Sequence, residues 1–135
     1  MKTRVITALD GKTATATSGK FYVGDAERIG LLFRRAAHAS GNTVFTVNIG
    51  GEAEGTVTPV MTATNMLIKD IVADAGAGTS GEDIGHTRVA SVTLAGNGDE
   101  MVWLDPVCLV TYLSVTATET TDGTHTAFII AQYRT

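Results

Sequence analysis

Cysteine is almost missing from this chain. Cys108 stands alone among 135 residues, so an internal disulfide is excluded and the fold must be held by its core. Its setting, the apolar run Val107 to Val110, reads as that of a buried structural thiol. Proline occurs twice and aromatic residues make up 6%, so the core has to be built mostly from Val, Ile, Leu and Ala. Charged residues are 18% against 44% hydrophobic, a balance that argues against disorder. Basic residues are few and scattered, with only Arg34 and Arg35 adjacent, and the formal charge is −4. No phosphate-binding stripe exists, and a nucleic-acid partner is not expected. Nor does any run approach the roughly 20 apolar residues of a membrane span. Ile6 to Leu9 is too short for the apolar centre of a signal peptide, so the chain reads as soluble and made in the cytoplasm.

What the sequence does have is alternation. From Arg28 to Ile49, Ile29, Leu31 and Phe33 alternate with Gly30, Leu32 and Arg34, and after Ser40-Gly41-Asn42 the residues Phe45, Val47 and Ile49 alternate with Thr46 and Asn48. Two such runs around a turn cluster predict a β-hairpin with one apolar face, which needs a second layer to cover it. Asp10-Gly11 predicts a first hairpin between Thr3 to Leu9 and Lys12 to Thr17, with residues 1–19 an edge hairpin or arm. Phe21 to Val23 is a short apolar piece, and Pro59 reduces Val57 to Thr62 to an edge strand at most. Asn65 to Ala73 fits either two helical turns or a strand; its β-branched residues favour strand. Asp74 to His86, with glycines at 76, 78, 81 and 85, predicts a long surface loop, either flexible or ordered only against a partner. Arg88 to Leu94 and Met101 to Leu104 predict strands, and Val107 to Thr118 with Thr124 to Tyr133 a closing hairpin around Thr121-Asp122-Gly123.

About eight strands at spacings near a dozen residues define the expected class: all-β, a single antiparallel β-sandwich domain spanning residues 1–135, jelly-roll-like. Its core is expected from Ile29, Leu31, Phe33, Phe45, Val47, Ile49, Leu109, Leu113 and Val115. The last two long strands are apolar on both faces. Cys108, Val110 and Tyr112 lie opposite the core set of Val107 to Ala117, and Ala127, Ile129 and Ala131 alternate with Phe128 and Ile130. The expected self-association or docking face is therefore Cys108, Val110, Tyr112, Ala127, Ile129 and Ala131; the competing reading is that Asn65 to Ala73 and the Gly-rich loop fold over it from within the chain.

No constellation points to catalysis. His38, His86 and His125 lack metal-ligand spacing, no serine sits in a nucleophile elbow, and the Gly-rich run lacks the Lys-Ser/Thr of a phosphate loop. Asp99, Glu100 and Asp105 have the oxygen chemistry for Ca²⁺, though a solvated turn is the ordinary reading. Neither an enzyme nor a cofactor is expected. An unrecognised hydrolase would need a cleft holding two carboxylates or a His-acid pair.

The string SGKFYVGDAERIGLLFRRAAHASGNTVFTVNIGGE resembles a pattern in small β-sandwich accessory proteins of tailed-phage virions, and VCLVTYLSVTATETTDGTHTAFIIAQY is similar to their closing strand pair. The chain departs from that pattern after Gly50-Gly51, where a Ser-x-Asp-Gly plus Trp segment would follow. The resemblance implies a structural virion component: a decoration (cement) or head accessory protein, made in the host cytoplasm, that binds and stabilises a capsid. Its implied partners are further copies of itself, as a homotrimer, and a major capsid protein. The alternative is a carbohydrate- or cell-surface-binding β-sandwich module with an aromatic platform around Tyr22 or Trp103.

Overall fold

The computed structural model describes residues 2–50, 61–62, 66–74, 82–105 and 110–134. Among them there is no helix, and twelve strands follow one another: β1 (Lys2–Lys12), β2 (Ala16–Thr17), β3 (Phe21–Tyr22), β4 (Arg28–Ala36), β5 (Thr43–Gly50), β6 (Met61–Thr62), β7 (Leu67–Asp74), β8 (Glu82–Val89), β9 (Val92–Leu94), β10 (Gly98–Leu104), β11 (Tyr112–Glu119) and β12 (Thr124–Tyr133). Eight of these have seven residues or more, matching the number expected; the other four are two- or three-residue pieces.

They form two antiparallel sheets packed into a sandwich. The first runs β1-β12-β4-β10-β7-β8 and the second β2-β11-β5-β6, with β3 also on β11 and β9 on β5. Between them lies one apolar cluster. Ile29, Leu31, Phe33, Val102, Ala127, Ile129 and Ala131 from the first sheet meet Phe45, Val47, Leu113, Val115 and Ala117 from the second. Phe33 and Phe45 stack across the gap with centroids 4.6 Å apart. Each has no exposed surface, which stabilises the fold by about 1.5–3 kcal/mol per ring. Every expected core residue that falls among the described ones is buried; Leu109 lies outside them.

Three connections differ from the hairpins expected of them. β4 belongs to the first sheet and β5 to the second, so the chain between them crosses the sandwich instead of turning back within a sheet. β11 and β12 are related in the same way. Period two is common to both arrangements: in a hairpin the two apolar faces share a side of one sheet, while in a crossing they confront each other. Phe33 against Phe45 shows which applies. Asp10-Gly11 likewise makes no hairpin. β1 continues through it along β12, with register shifts between Thr7 and Leu9 and between Leu9 and Lys12, and Gly11 takes φ 58° at this irregularity. β2 pairs with β11 in the other sheet, so residues 2–17 supply an edge strand to each layer.

Asn65 lies outside the described residues, and from Leu67 onward strand β7 bears out the extended reading of Asn65 to Ala73. Its partner β8 takes Glu82 to His86 out of the expected loop, while 75–81 lie outside the described residues. The expected strand Arg88 to Leu94 is broken at Ala90-Ser91, where the chain passes from the first sheet to β9 in the second.

Candidate functional site

Four polar residues extend the inward-facing alternation beyond the apolar core. Arg35 follows Ile29, Leu31 and Phe33; Thr43 precedes Phe45; Glu119 follows Leu113, Val115 and Ala117; His125 precedes Ala127. All converge at one end of the sandwich. The Arg35 side chain is fully buried and its Nη1 donates to the carbonyls of Gly41 (3.0 Å) and Leu94 (3.3 Å) and meets His38 Nδ1 at 2.7 Å. Nη2 donates to the carbonyls of Ser40 (2.9 Å) and Asp122 and to Glu119 Oε1 (3.2 Å). These acceptors belong to, or lie beside, the three passages between sheets at this end: β4 to β5, β9 to β10 and β11 to β12. One guanidinium thus ties three crossings together.

Glu119 carries the matching charge. Its Oε2 accepts from Thr43 Oγ1 at 2.6 Å and from His125 Nδ1 at 3.3 Å. Burial pushes this carboxyl up, but the Thr43 hydroxyl, the Thr121 N–H, the Arg35 charge and the His125 bond together hold it below the usual glutamate range. Asp122 is held low by the N–H groups of Ser40 and Ala39, both 3.0 Å from Oδ1. Gly123, at φ 126°, passes so close to Arg35 that a Cβ there would sit 2.8 Å from Nε. Arg35 Nε and His125 Nε2 are buried without a hydrogen-bond partner. Arg35, Glu119 and His125 are almost wholly out of contact with solvent, while Asp122 at the rim is 41% exposed, an arrangement that fastens the end of the fold.

The two outer faces of the sandwich differ. On the second sheet, Asn48 Nδ2 donates to Ser114 Oγ and Thr116 Oγ1, which also meets Thr17 Oγ1 at 3.0 Å, so that surface is polar. The first sheet carries an apolar band on its outer side as well as its inner one, flanked by rows holding Arg28 with Gln132 and Arg34 with Asp99. Its registers align Val5, Ile130, Gly30, Trp103 and Ile68 in one row across five strands, and Thr7, Phe128, Leu32 and Met101 in the next. Val5 is 62% and Met101 51% exposed. A groove of about 630 Å³ opens over Gly30, between Ile130 and Trp103, and is lined also by Arg28, Glu27 and Asp105. No described strand lies over this face.

This corrects the expected docking face. Ala127, Ile129 and Ala131 have no exposed surface and Val110 only 3%; all four belong to the core. Tyr112 is half-buried, edge-on to Tyr22 at 5.7 Å with Lys20 Nζ 4.7 Å over its ring, and Cys108 lies outside the described residues. On β12 the two-sided apolar character is real, but the faces are exchanged: Phe128 and Ile130 point outward. Nothing in an alternation of Ala with Ile and Phe marks which side is inner. The polar cluster did leave a signal, since Arg35, Thr43, Glu119 and His125 all fall on core positions of their strands.

The other candidates disperse. Asp99 pairs with Arg34 at 2.8 Å, Glu100 with Lys69 at 3.1 Å and Asp105 with Arg88 at 2.7 Å, so each carboxylate of the Ca²⁺ candidate already has its own cation. The hydrogen bond from Arg34 holds Asp99 below the usual carboxylate range and raises Arg34 in turn. Among the described residues no three His, Cys, Asp or Glu side chains gather as metal ligands. His38 faces Arg35, His125 is buried, and His86 lies on β8 opposite Asp70. No helix among the described residues is long and apolar enough to cross a membrane.

Fold and surface together define a two-layer antiparallel β-sandwich with a locked end and one apolar outer face. The same fold occurs in the SPBc2 prophage-derived protein YomS, with a TM-score of 0.57 and 12% identity over 97% of this chain and 94% of that one. A chain of the T=1 particles derived from infectious bursal virus aligns at a TM-score of 0.31 and 14% identity over 39% of its length, too loose a likeness to bear on the fold. No protein-family model matches the sequence, and no curated protein matches it significantly.

Proposed function

We propose that this chain is a structural component of a viral particle, a decoration (cement) or head accessory protein that docks as a homo-oligomer on a major capsid protein and stabilises the shell. The observation that carries the reading is the apolar band on the outer face of the first sheet, a surface suited to protein contact. The tailed-phage resemblance of the sequence and the fold shared with a prophage-derived protein support the viral setting. On this reading the role is mechanical, without catalysis or cofactor, and the protein resides in the virion. Mass spectrometry and immuno-electron microscopy of gradient-purified particles from cells expressing the chain test it. Stoichiometric recovery with the shell is expected; particles consistently free of the chain refute the proposal.

A carbohydrate- or cell-surface-binding module is the second reading, favoured by Trp103 in the wall of the groove. Glycan-array binding lost on Trp103→Ala, with no particle association, would select it.

A further inference from the structure

Gly30 is a glycine that the backbone does not require. It sits inside β4, has no left-handed φ, and a Cβ built on it meets only Val102 O at 3.7 Å and Ile130 Cβ at 3.9 Å, ordinary contact distances. An interior strand glycine weakens a strand, and where no bend or bulge needs it, it marks a place where something else approaches closely. Here its effect is to leave a depression in the middle of the row Val5, Ile130, Gly30, Trp103, Ile68. One strand over and two residues along stands Met101, 51% exposed on the same face. A hole and a flexible apolar knob therefore lie side by side, about 8 Å apart from strand spacing and rise.

We infer that the outer face of the first sheet is a two-fold contact between copies of this chain, with Met101 of each copy seated over Gly30 of the other. A two-fold axis in the plane of the contact, bisecting the line from knob to hole, carries each onto the other's counterpart, which is the self-complementarity an isologous interface requires. Most of the charge around the groove is neutralised within the chain, Arg34 by Asp99, Asp105 by Arg88 and Glu27 by Arg134, as an apolar contact between copies requires. Area is at the lower bound for a specific contact: the registers place fifteen outward positions in four rows, which at strand spacing and rise cover about 500 Å² per copy, or about 1,000 Å² for two.

Exchanging knob and hole tests this. Sedimentation velocity across micromolar concentrations should show the wild type self-associating, with Gly30→Met and Met101→Gly each weakening the association about tenfold or more, as loss of a central anchor does. The double variant Gly30→Met/Met101→Gly should restore it to within about threefold of the wild type, because the same two groups meet with their owners exchanged. Circular dichroism melts report folding separately, and Gly96→Ala, at an open turn glycine, serves as a neutral control. A wild type that stays monomeric at high micromolar concentration overturns the inference, as does an assembly indifferent to the single variants, or one that both singles break and the double fails to rescue. Particle docking is read by a different experiment, so self-association with no particle binding would refute the proposed function and leave this contact standing.

Discussion

Arg35→Ala is expected to cost about 3–5 kcal/mol of stability, the range for removing one member of a buried ion pair. The side chain has no exposure and its partner Glu119 is 4% exposed, so the substitution leaves a carboxylate in the interior without its cation. The carbonyls of Ser40, Gly41, Leu94 and Asp122 lose a donor as well. Each unsatisfied group costs about 1–3 kcal/mol when kept from water, but the loops at this end let water reach some of them, which keeps the total near the pair figure. Against a typical stability of about 5–15 kcal/mol this is a large fraction, and it corresponds to a fall in Tm of about 10–20 °C. Urea denaturation followed by circular dichroism should show the midpoint falling with the slope unchanged. A double-mutant cycle with Glu119→Gln should give a coupling of about 1–3 kcal/mol. An Arg35→Ala cost below about 1 kcal/mol, or strict additivity with Glu119→Gln, would refute the view that this guanidinium ties the three crossings. The acid limb follows from the direction of the Glu119 shift. Its folded value lies below the ordinary glutamate range, so its contribution is complete above that range and disappears as pH falls through the folded value. Glu119→Gln should flatten that part of the acid-stability profile.

Gly123→Ala should destabilise by about 1–3 kcal/mol in the same urea assay, since φ 126° and a Cβ 2.8 Å from Arg35 Nε both oppose it. Phe33→Ala should cost about 3–5 kcal/mol, because the ring is fully buried and stacked on Phe45. His125→Gln should lower Tm measurably, whereas His86→Gln should leave particle association unchanged; a loss of association in a folded His86 variant would reopen the case for histidine chemistry.

The two-layer class and the core were legible because alternation reports burial directly: Ile29, Leu31 and Phe33 are inner in any arrangement that hides an apolar stripe. Connectivity was not, since Ser40-Gly41-Asn42 has the chemistry of a tight turn whether the chain returns within a sheet or crosses to the other. The deciding fact is Arg35, whose bonds to the loop carbonyls hold the crossing closed and whose position on the core parity of β4 is visible only once charged residues are admitted to the pattern. The face assignment on β12 failed for a related reason. Ala127, Ile129 and Ala131 fill the interior, and Phe128 and Ile130 are no less apolar, so hydrophobicity alone ranks the wrong side equally.

Lys2 pairs with Tyr133 and Arg4 with Ala131, so β1 finds its ladder only when β12 has been made. On a ribosome adding about 5–20 residues each second, the first strand waits on the order of ten seconds for its neighbour. Val5 and Ile130 belong to these two strands and to the same outer row, and that row cannot exist before the wait ends. A surface that spans these two strands is therefore completed only late in folding, when residues more than a hundred positions apart have paired.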